Sequence, residues 1–484
     1  MIPDEKTSKA LSSAQLQEIT SRVLRDFEAT GEEAIVGSVP YMTVGQKKVL
    51  KQFLSERCVW KFFQLNMPLE PAVLAKTLAF LFLRFDTLRL RVRKDETGWH
   101  QFIAPITEEI PLKYVNLAGM NEDEKRTAIN KAAQAEFRDL HQWKGPLIRI
   151  VHFLAGEGQP DLLLILIHHF TTDITSDSIF YANTQKMYFH FLMDKPFPRV
   201  RPAQHSFQRA MQDIVSYVRE QLQVEQEIQY WLSLPDLQPL AVDFPEALTS
   251  RKKATTNCVL SIQFNQEEAE TFQAIQKHVP VLDLLLAALA IAFQNWSGRS
   301  QLLISVPDNG RAFLGGKPLT GVLGYFTILR SLFLQIEPSW SLDITWQSIQ
   351  KQIQAIPHQG LGLSLLGCYG DHDTLPPKIT REQSYHITFN YWGVIPDDEK
   401  TSEEFFQVAH HYSPLVAPEI AEEDPEVVFS PPTTIRFDGH IEGDELIFQC
   451  FYDAQLYRAT RIESFIEYYK LALISLLHYI HSAS

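Results

Sequence analysis

Hydrophobic spacing along the chain predicts alternating helices and strands. Apolar side chains three and four residues apart predict an amphipathic helix over residues 12–30, where Ser12 and Gln15 form a candidate capping box. Further helices are predicted at residues 46–54, 71–85, 207–222 and 282–293, and strands at residues 87–92, 161–167 and 302–306. A hairpin is predicted over residues 435–452, with its turn near Gly443 and Asp444. This alternation is typical of an α/β (α+β) fold.

The segment at residues 161–167 differs from the other predicted strands because every residue after Asp161 is apolar, so that both faces of the strand would be apolar. Such a run indicates a strand that is covered on both faces. It ends abruptly in His168 and His169. Two imidazoles are therefore expected to emerge from a core strand.

Chain length and a polar, Pro-containing segment suggest how the chain divides into domains. At 484 residues it is too long for one ordinary core. A polar, Pro-containing stretch at residues 194–205 precedes a long predicted helix. We expect an N-terminal helical appendage at residues 1–38, one subdomain at residues 39–200 and a second at residues 201–484.

Composition narrows the function classes. The 44 basic and 58 acidic side chains give a formal charge of −14, which disfavours a nucleic-acid partner. The four cysteines lie far apart without a C-x-x-C pair, and no metal site is expected. The chain shows neither a signal-peptide pattern nor an apolar run of about 18 residues. We expect a cytoplasmic protein, without membrane association, that works as a monomer.

A second histidine pair, His410 and His411, lies between two acidic stretches at residues 397–404 and 419–426. These stretches contain little that could form a core, and the pair lacks metal-ligand spacing. We predict solvated loops there and assign the pair no chemistry.

The first pair is the stronger candidate for chemistry. His168, His169 and Asp173 form an H-H-x-x-x-D pattern directly after a predicted core strand. A neutral imidazole in a fixed orientation can take a proton from an attacking amine or hydroxyl, and a nearby Asp can order the loop. The pattern alone is weak, because a histidine beside a core strand is more often satisfied by backbone hydrogen bonds.

Further segments occur in an order that strengthens this interpretation. They are PYMTVGQ at 40–46, RFDTLR at 84–89, HHFTTD at 168–173, NGR at 309–311, GYFT at 324–327, PHQGLG at 357–362 and FNYWG at 389–393. Together they resemble the condensation, cyclization and epimerization domains of nonribosomal peptide synthetases. The second-half segments are most similar to the epimerization branch.

The resemblance implies a fold and a set of site residues. The fold would be two chloramphenicol-acetyltransferase-like subdomains in a V-shaped pseudo-dimer with a tunnel between them. His169 would be the base or the amine-orienting group, while His168 and Asp173 would shape the loop. Asp173 would pair with Arg311, with Arg84 as the competing partner. The residues implied to line the tunnel are Ser176, Tyr325, Asn390 and Tyr391, although a core role for the aromatic ones is the alternative.

The sequence departs from the family pattern at several positions. The Gly that usually follows the signature Asp is Ile174, whose β-branched side chain disfavours a positive φ, so we expect the loop to turn differently or to be narrowed. The position of the epimerization family's partner Glu holds Pro307, with Asp308 next to it. The condensation family's Asn is Ile328, and its His-Gln-Asp motif ends in Gly360.

These features lead to one preferred function and two alternatives. The resemblance implies a free-standing acyltransferase that joins a carrier-bound acyl or aminoacyl thioester to an amine or a hydroxyl. Its partners would be peptidyl or acyl carrier proteins met in trans and a small-molecule acceptor, and the phosphopantetheine arm of the carrier would be the only cofactor. The alternatives are a cofactor-free epimerase of a carrier-bound aminoacyl group and a carrier-recruiting module without chemistry.

Overall fold

A computed structural model describes most of the chain. The described residues are 10–51, 58–65, 69–106, 110–140, 145–156, 159–201, 206–250, 257–312, 319–371, 373–380, 383–395, 406–408 and 434–483. The acidic stretches and the second histidine pair, His410 and His411, lie outside them.

Helices of the described residues are numbered in chain order. They are α1 Ser13–Glu28, α2 Val44–Lys51, α3 Pro71–Arg84, α4 Glu122–Leu140, α5 Ile174–Leu192, α6 Phe207–Glu220, α7 Val224–Ser233, α8 Ala247–Ser250, α9 Gln266–Ile275, α10 Val281–Ser297, α11 Leu342–Ala355, α12 Gly362–Tyr369, α13 Pro377–Thr380 and α14 Ala459–Ala483. Two 3-10 turns are at Asp86–Arg89 and Pro357–Gly360.

The strands are numbered in the same way. They are β1 Gly37–Val39, β2 Cys58–Leu65, β3 Leu90–Asp95, β4 Gly98–Ile103, β5 Leu112–Asn116, β6 Ile148–Leu154, β7 Leu162–His168, β8 Asn257–Gln263, β9 Gln301–Asp308, β10 Ile328–Gln335, β11 Ile387–Ile395, β12 Phe406–Val408, β13 Ile435–Glu442 and β14 Glu445–Asp453. Mixed helix and sheet of this kind is an α+β fold, as predicted.

The chain forms two compact units that are not two simple halves. The first contains Met1–Tyr217, Asn309–Thr327 and Thr401–Asp424, and the second contains Val218–Asp308, Ile328–Lys400 and Pro425–Ser484. The chain therefore passes back into the first unit twice. The segment with the Asn-Gly-Arg and Gly-Tyr-Phe-Thr motifs belongs to the unit that holds the histidine loop.

The first unit is built on a five-stranded sheet in the order β12-β2-β7-β6-β5, with a separate three-stranded sheet in the order β1-β4-β3. Strand β7 is central, and all seven of its residues are buried. Helices α3 and α5 cover one face, where their apolar side chains share a core with Leu163, Ile165 and Ile167 of β7. Leu162, Leu164 and Leu166 of the same strand are buried in a second cluster, so the strand that leads into the histidines is packed on both faces.

Helix α1 is part of this core and not an appendage to it. Its Leu16, Val23 and Phe27 are buried in the same cluster as α3. The predicted capping box is present, because the Ser12 side chain accepts from the Gln15 backbone and the Gln15 side chain accepts from the Ser12 backbone. The N-terminal helix therefore contributes to the stability of the unit.

The second unit has a six-stranded sheet in the order β10-β9-β11-β13-β14-β8. Strand β11 lies parallel to both β9 and β13, and its register on β13 shifts between Tyr391 and Val394. The long helices α10 and α14 pack against each other. Phe437 and Phe448 of the sheet contact Tyr469 of α14 through their rings, which fixes this helix on the sheet.

Most predicted elements are confirmed, with boundary shifts of a few residues. The predicted strand at residues 87–92 is partly wrong, because the segment begins as the 3-10 turn Asp86–Arg89 and becomes β3 only at Leu90. The carboxylate of Asp86 accepts a hydrogen bond from the Phe207 backbone N–H at 2.7 Å, and this contact favours the turn over strand geometry. That contact spans more than a hundred residues, and no local pattern contains it.

Candidate functional site

His168 is the last residue of β7, and its imidazole is fully buried. Its Nδ1 accepts a hydrogen bond from the Phe170 backbone N–H at 3.1 Å, so in the neutral ring the proton lies on Nε2. Its backbone carbonyl accepts from both the N–H and the hydroxyl of Thr171, each at 2.9 Å. His168 therefore turns the chain at the end of the strand.

His169 has the opposite tautomer and is half-buried. Its Nδ1 lies 3.1 Å from the carbonyl oxygen of Thr172. Since a carbonyl can only accept, Nδ1 must carry the proton, and the lone pair of the neutral ring is on Nε2. The ring also contacts that of Tyr325, with 4.5 Å between centroids. His169 thus has Nδ1 fixed as a donor to the loop and the lone pair of its neutral ring on Nε2.

Asp173 closes the loop and begins the next helix. It is the N-cap of α5, and its Oδ1 accepts from the Ser176 N–H at 2.8 Å. Its Oδ2 accepts from the Phe326 N–H at 2.9 Å, and Arg311 donates to both carboxylate oxygens, at 2.8 and 3.0 Å. The residue is only 2% exposed. Asp173 organises the loop and cannot reach a substrate.

Arg311 is the cation that pairs with Asp173, in the bidentate geometry that guanidinium and carboxylate favour. It is 6% exposed, donates to the Asn309 carbonyl at 3.0 Å and lies over the ring of Phe326. The competing candidate, Arg84, instead lies over the ring of Phe85, 5.3 Å from its centroid. A buried charge pair with this many contacts fixes the loop strongly.

Ser176 lies in this same network and not on an open surface. It is 1% exposed, accepts from Arg311 at 2.8 Å and from the Gly324 N–H at 2.9 Å, and donates to the Gly324 carbonyl at 2.8 Å. All three hydrogen bonds of the Ser176 hydroxyl are made within this network, so a tunnel-lining role does not fit. Gly324 must stay a glycine because an added Cβ would lie 2.6 Å from the ring of Phe207.

Ile174 continues the loop into a helix without a positive φ. It is the first residue of α5, directly after the N-cap, and it is absent from the residues with positive φ in the described part of the chain. Its side chain is 62% exposed. The loop therefore needs no glycine at this position, and the isoleucine instead places an apolar group at the surface beside it.

The opening motif supports the loop from another direction. Gln46 and Thr43 form a capping box at the start of α2, and the Gln46 amide also donates to the Phe170 carbonyl at 3.0 Å. Gly45 allows the ring of Tyr325 to approach, because an added Cβ would lie 3.0 Å from that ring. Three distant motifs therefore converge on the residues that surround His169.

The second motif, residues 84–89, also supports the site through structural contacts. Asp86 is buried and caps the start of α6, accepting from the Ser206 hydroxyl and the Phe207 N–H at 2.8 and 2.7 Å. Thr87 donates to the Leu323 carbonyl at 2.7 Å, which fixes the segment that carries Tyr325 and Phe326. This motif acts on the site through the backbone that it holds.

Asn390 and Tyr391 lie in the second unit, on strand β11. Tyr391 packs against Phe272, with 6.1 Å between ring centroids, and burial raises its pKa to about 12. Tyr391 is therefore a neutral, partly buried phenol. Asn390 lies opposite Asp438 in the register with β13. Their role beside His169 stays a prediction.

Pro307 and Asp308 end strand β9, with Asp308 opposite Ile328 of β10. Both are partly exposed. Proline offers no proton donor or acceptor in its side chain, so Pro307 cannot serve as a second acid or base, whereas the neighbouring Asp308 carries a carboxylate.

Two residues of the site were not predicted from the sequence. Thr172 supplies the carbonyl that binds His169, and its hydroxyl donates to Asp177 Oδ1 at 2.5 Å. Asp177 is 6% exposed, and burial raises its pKa to about 6. Asp177 follows Asp173 by four residues, which places both on one face of α5, but no helix was predicted from the sequence at this point.

Within the part of the chain that the structure describes, no cluster of His, Cys, Asp and Glu could hold a metal ion. The described helices also include none that is both long and apolar enough to span a bilayer. The cysteine nearest the loop, Cys58, lies opposite His168 across the sheet, and burial raises the pKa of its thiol to about 12. That thiol is therefore no nucleophile.

Known proteins with similar sequences are large synthases. One linear gramicidin synthase subunit of Brevibacillus parabrevis is 29% identical over 429 residues, covering 86% of this chain and 8% of that protein. Another subunit of the same synthase is 27% identical over 474 residues, covering 96% of this chain and 6% of that protein. The chain thus spans less than a tenth of the length of these relatives.

The fold has a solved counterpart, and the family is shown by its model. The epimerization domain from the third module of tyrocidine synthetase B superimposes with a TM-score of 0.73 at 19% identity, covering 93% of this chain and 99% of that domain. The model of the condensation domain family matches residues 58–482. The chain therefore belongs to the condensation domain family of nonribosomal peptide synthetases.

Proposed function

We propose that the protein is a condensation-type acyltransferase in which His169 is the base or the amine-orienting group. The observation that carries this proposal is the tautomer of His169. Its Nδ1 donates to the Thr172 carbonyl, which places the lone pair of the neutral imidazole on Nε2. The buried Asp173–Arg311 pair holds this geometry. A base of fixed orientation on a half-buried ring is what proton transfer from an attacking amine requires.

The reaction that fits this base is transfer of an acyl group from a thioester. The acceptor amine, or hydroxyl, attacks the thioester carbonyl carbon, and a C–N or C–O bond forms. His169 Nε2 takes the proton that the acceptor loses. The C–S bond breaks, and the thiolate that leaves recovers a proton, so the imidazole returns to its neutral form.

Positioning should contribute more to the rate than proton transfer does. A thioester is already activated, and two substrates held in place can reach effective molarities of about 10⁵–10⁸ M. A positioned base adds roughly 10²–10⁴-fold. The many contacts that hold the loop fit a site in which geometry carries most of the rate enhancement.

The donor in this proposal is an acyl or aminoacyl group on the phosphopantetheine arm of a carrier protein, and the acceptor is a small amine or alcohol. The arm is substrate cargo and needs no resident cofactor. We assign Tyr325 to the substrate path because its ring contacts that of His169. Asn390 and Tyr391 are proposed as further parts of that path, on the basis of their motif alone.

Epimerization of a carrier-bound aminoacyl group is the second candidate. The segments 324–327 and 389–393 favour it, as does the similarity in fold to an epimerization domain. Removing and returning an α-proton from opposite faces usually needs two groups. With Pro307 in place of the family's Glu, Asp308 is the candidate for the second group, and we therefore rank epimerization below condensation.

Replacing His169 with alanine tests the proposal. The assay offers the protein carrier proteins loaded with aminoacyl thioesters, together with amine and alcohol acceptors, and follows products by mass spectrometry. We expect His169→Ala to lower turnover by about 10²-fold and to leave some product, because positioning survives. The matched control is His100→Ala, since His100 is partly exposed on β4 and interacts with Asp95.

Two results would contradict this role. Unchanged turnover in His169→Ala would remove the base assigned here. Carrier binding that survives the mutation, with no turnover of any thioester by the unmodified protein, would favour a recruiting module without chemistry.

A further inference from the structure

Helix α5 begins with two buried carboxylates that have different surroundings. Asp173 is neutralised by Arg311, which contacts both of its oxygens. Asp177 lies one turn later, and its carboxylate accepts a hydrogen bond from the hydroxyl of Thr172. The titratable groups that face it are Asp173 and Tyr181 on its own helix and Lys61 on β2. Asp177 thus occupies a site with less positive charge than Asp173 has.

Thr172 connects Asp177 to the histidine. Its hydroxyl donates to Asp177 Oδ1 at 2.5 Å, and its backbone carbonyl accepts from His169 Nδ1 at 3.1 Å. Thr172 itself is buried. A continuous path of two hydrogen bonds and one residue therefore runs from the Asp177 carboxylate to the imidazole of His169.

Helix capping does not explain why an acidic residue is present at this position. Asp173 already serves as the N-cap, and its side chain satisfies the Ser176 N–H. The pKa of Asp177 is raised to about 6, because burial and the neighbouring Asp173 raise it by more than the Thr172 hydrogen bond and Lys61 lower it. Near neutral pH the ionised carboxylate is therefore kept at a cost in stability, which is typical of groups that serve function.

We propose that Asp177 is a positioning residue for His169, because its bond to Thr172 fixes the carbonyl that selects the tautomer of the imidazole. The proposal rests on the proposed function, since the tautomer matters to turnover only if His169 Nε2 is the base. Without the bond, Thr172 can rotate away and its carbonyl no longer restrains Nδ1. The ring of His169 then samples the other tautomer, in which Nε2 carries the proton and cannot accept one.

The direct test is the tautomer of His169, read from ¹⁵N chemical shifts of the full chain labelled at histidine. Spectra are recorded at about pH 8, where an ordinary imidazole is neutral. The His169→Ala spectrum identifies the resonances among the 16 histidines. We expect the Nδ1–H form in the unmodified protein, a loss of that form in Thr172→Val, and its retention in Thr172→Ser, which keeps the hydroxyl.

Asp177→Asn isolates the carboxylate at nearly constant shape. We expect this variant to lose part of the Nδ1–H form, because a neutral amide oxygen accepts a weaker hydrogen bond than a carboxylate does. Turnover of a thioester that the unmodified protein accepts should fall about 10-fold in Thr172→Val, less in Asp177→Asn, and little in Thr172→Ser.

The outcomes separate the two proposals. An unchanged tautomer in Thr172→Val, or an Asp177→Asn spectrum identical to that of the unmodified protein, overturns the role of Asp177 and leaves the proposed function standing. A tautomer change in both variants without any change in turnover keeps Asp177 as the residue that orients His169 and overturns the role of His169 Nε2 as the base. If the unmodified protein turns over no thioester, the proposed function fails, and the ¹⁵N spectra still decide whether Asp177 orients His169.

Discussion

The loop at residues 168–173 and the turn at Pro357–Gly360 each combine a histidine with a buried carboxylate, but they use these groups in opposite ways. In the loop, the carboxylate of Asp173 binds Arg311, and His169 binds a backbone carbonyl. In the turn, His358 Nδ1 lies 2.7 Å from the carboxylate of Glu227. One histidine uses Nδ1 as a donor to the backbone, whereas the other uses Nδ1 to contact an acid.

The backbone at the turn shows what the second arrangement achieves. His358 and Gln359 both have positive φ, a conformation that is costly for residues other than glycine. Glu227 is fully buried, accepts from the Trp231 indole at 2.9 Å and leaves no room for a Cβ on Gly362. The Glu227–His358 contact therefore holds strained backbone, and His358 is a structural histidine in the second unit.

The charges of the two regions also respond differently to pH. Arg311 stays charged throughout the accessible range, so its bond to Asp173 has a permanent cation. Burial raises the pKa of Glu227, against hydrogen bonds from His358 and Trp231 that lower it. A site that must keep one geometry uses a guanidinium, whereas a contact between two titratable groups can be weakened by a change in pH.

Removing Arg311 should have the largest effect. Arg311→Met leaves Asp173 as a buried, unpaired carboxylate, which typically costs about 3–5 kcal/mol in the free energy of unfolding. Urea denaturation measures the loss, with Arg93→Met as the control because Arg93 is exposed on β3. A loss no larger than that of the control would mean that the pair does not stabilise the first unit.

Neutralising Asp177 should change how stability depends on pH. The pKa of Asp177 rises from 3.8 to about 6 on folding, so between these values the folded protein holds a proton that the unfolded chain has released. The free energy of unfolding of the unmodified protein, relative to that of Asp177→Asn, should therefore fall by about 3 kcal/mol as pH rises from about 4 to about 7. Thermal unfolding measures the stability of both proteins across this pH range. Parallel plots of stability against pH for the two proteins would refute the shift in the pKa of Asp177.

Truncating His358 should have a smaller effect than removing Arg311, because its side chain is partly exposed and Trp231 remains bonded to Glu227. We expect His358→Ala to cost about 2 kcal/mol, the range for a hydrogen bond to a charged group. His278→Ala, at an exposed position, is the control for urea denaturation. Equal stability of the two variants would show that Glu227 does not need its histidine.

The smallest loss of stability is expected when Gln46 of α2, which supports the histidine loop, is replaced. Gln46→Met keeps the length of the side chain but removes two hydrogen bonds, one to the Phe170 carbonyl and one from the Thr43 N–H. We expect a cost of about 1.5 kcal/mol, measured by urea denaturation against Gln208→Met, which removes a bond to the Ser38 carbonyl at a more exposed site. A cost below that of Gln208→Met would speak against Gln46 as a support.

Local patterns predicted the elements that carry strong periodicity. Helix α3 begins at Pro71 as expected, and α6 begins at Phe207, because apolar side chains recur there at helical spacing. The hairpin of β13 and β14 turns at Gly443 and Asp444, also as predicted. The 3-10 turn at Asp86 was missed because its cause is a contact with α6, distant in sequence.

The site was predictable only in its residue types. The ordered motifs suggested His169, Asp173 and Arg311, and the structure brings the last two within 2.8 Å. Neither the tautomer of His169 nor the buried position of Ser176 could be read from spacing, since both depend on backbone groups placed by other segments. Ile174 illustrates the same limit, because the helical start at this residue removes the need for glycine.

The central claim is that His169 serves bond formation between two substrates, and one measurement tests it most directly. The unmodified protein and His169→Ala are incubated in deuterated water with a carrier-bound aminoacyl thioester and an amine acceptor, and the products are analysed by mass spectrometry. We predict an amide product that keeps its α-hydrogen and falls about 10²-fold in His169→Ala. Deuterium at the α-carbon of the thioester, with no new amide, would contradict the account and assign the protein to epimerization.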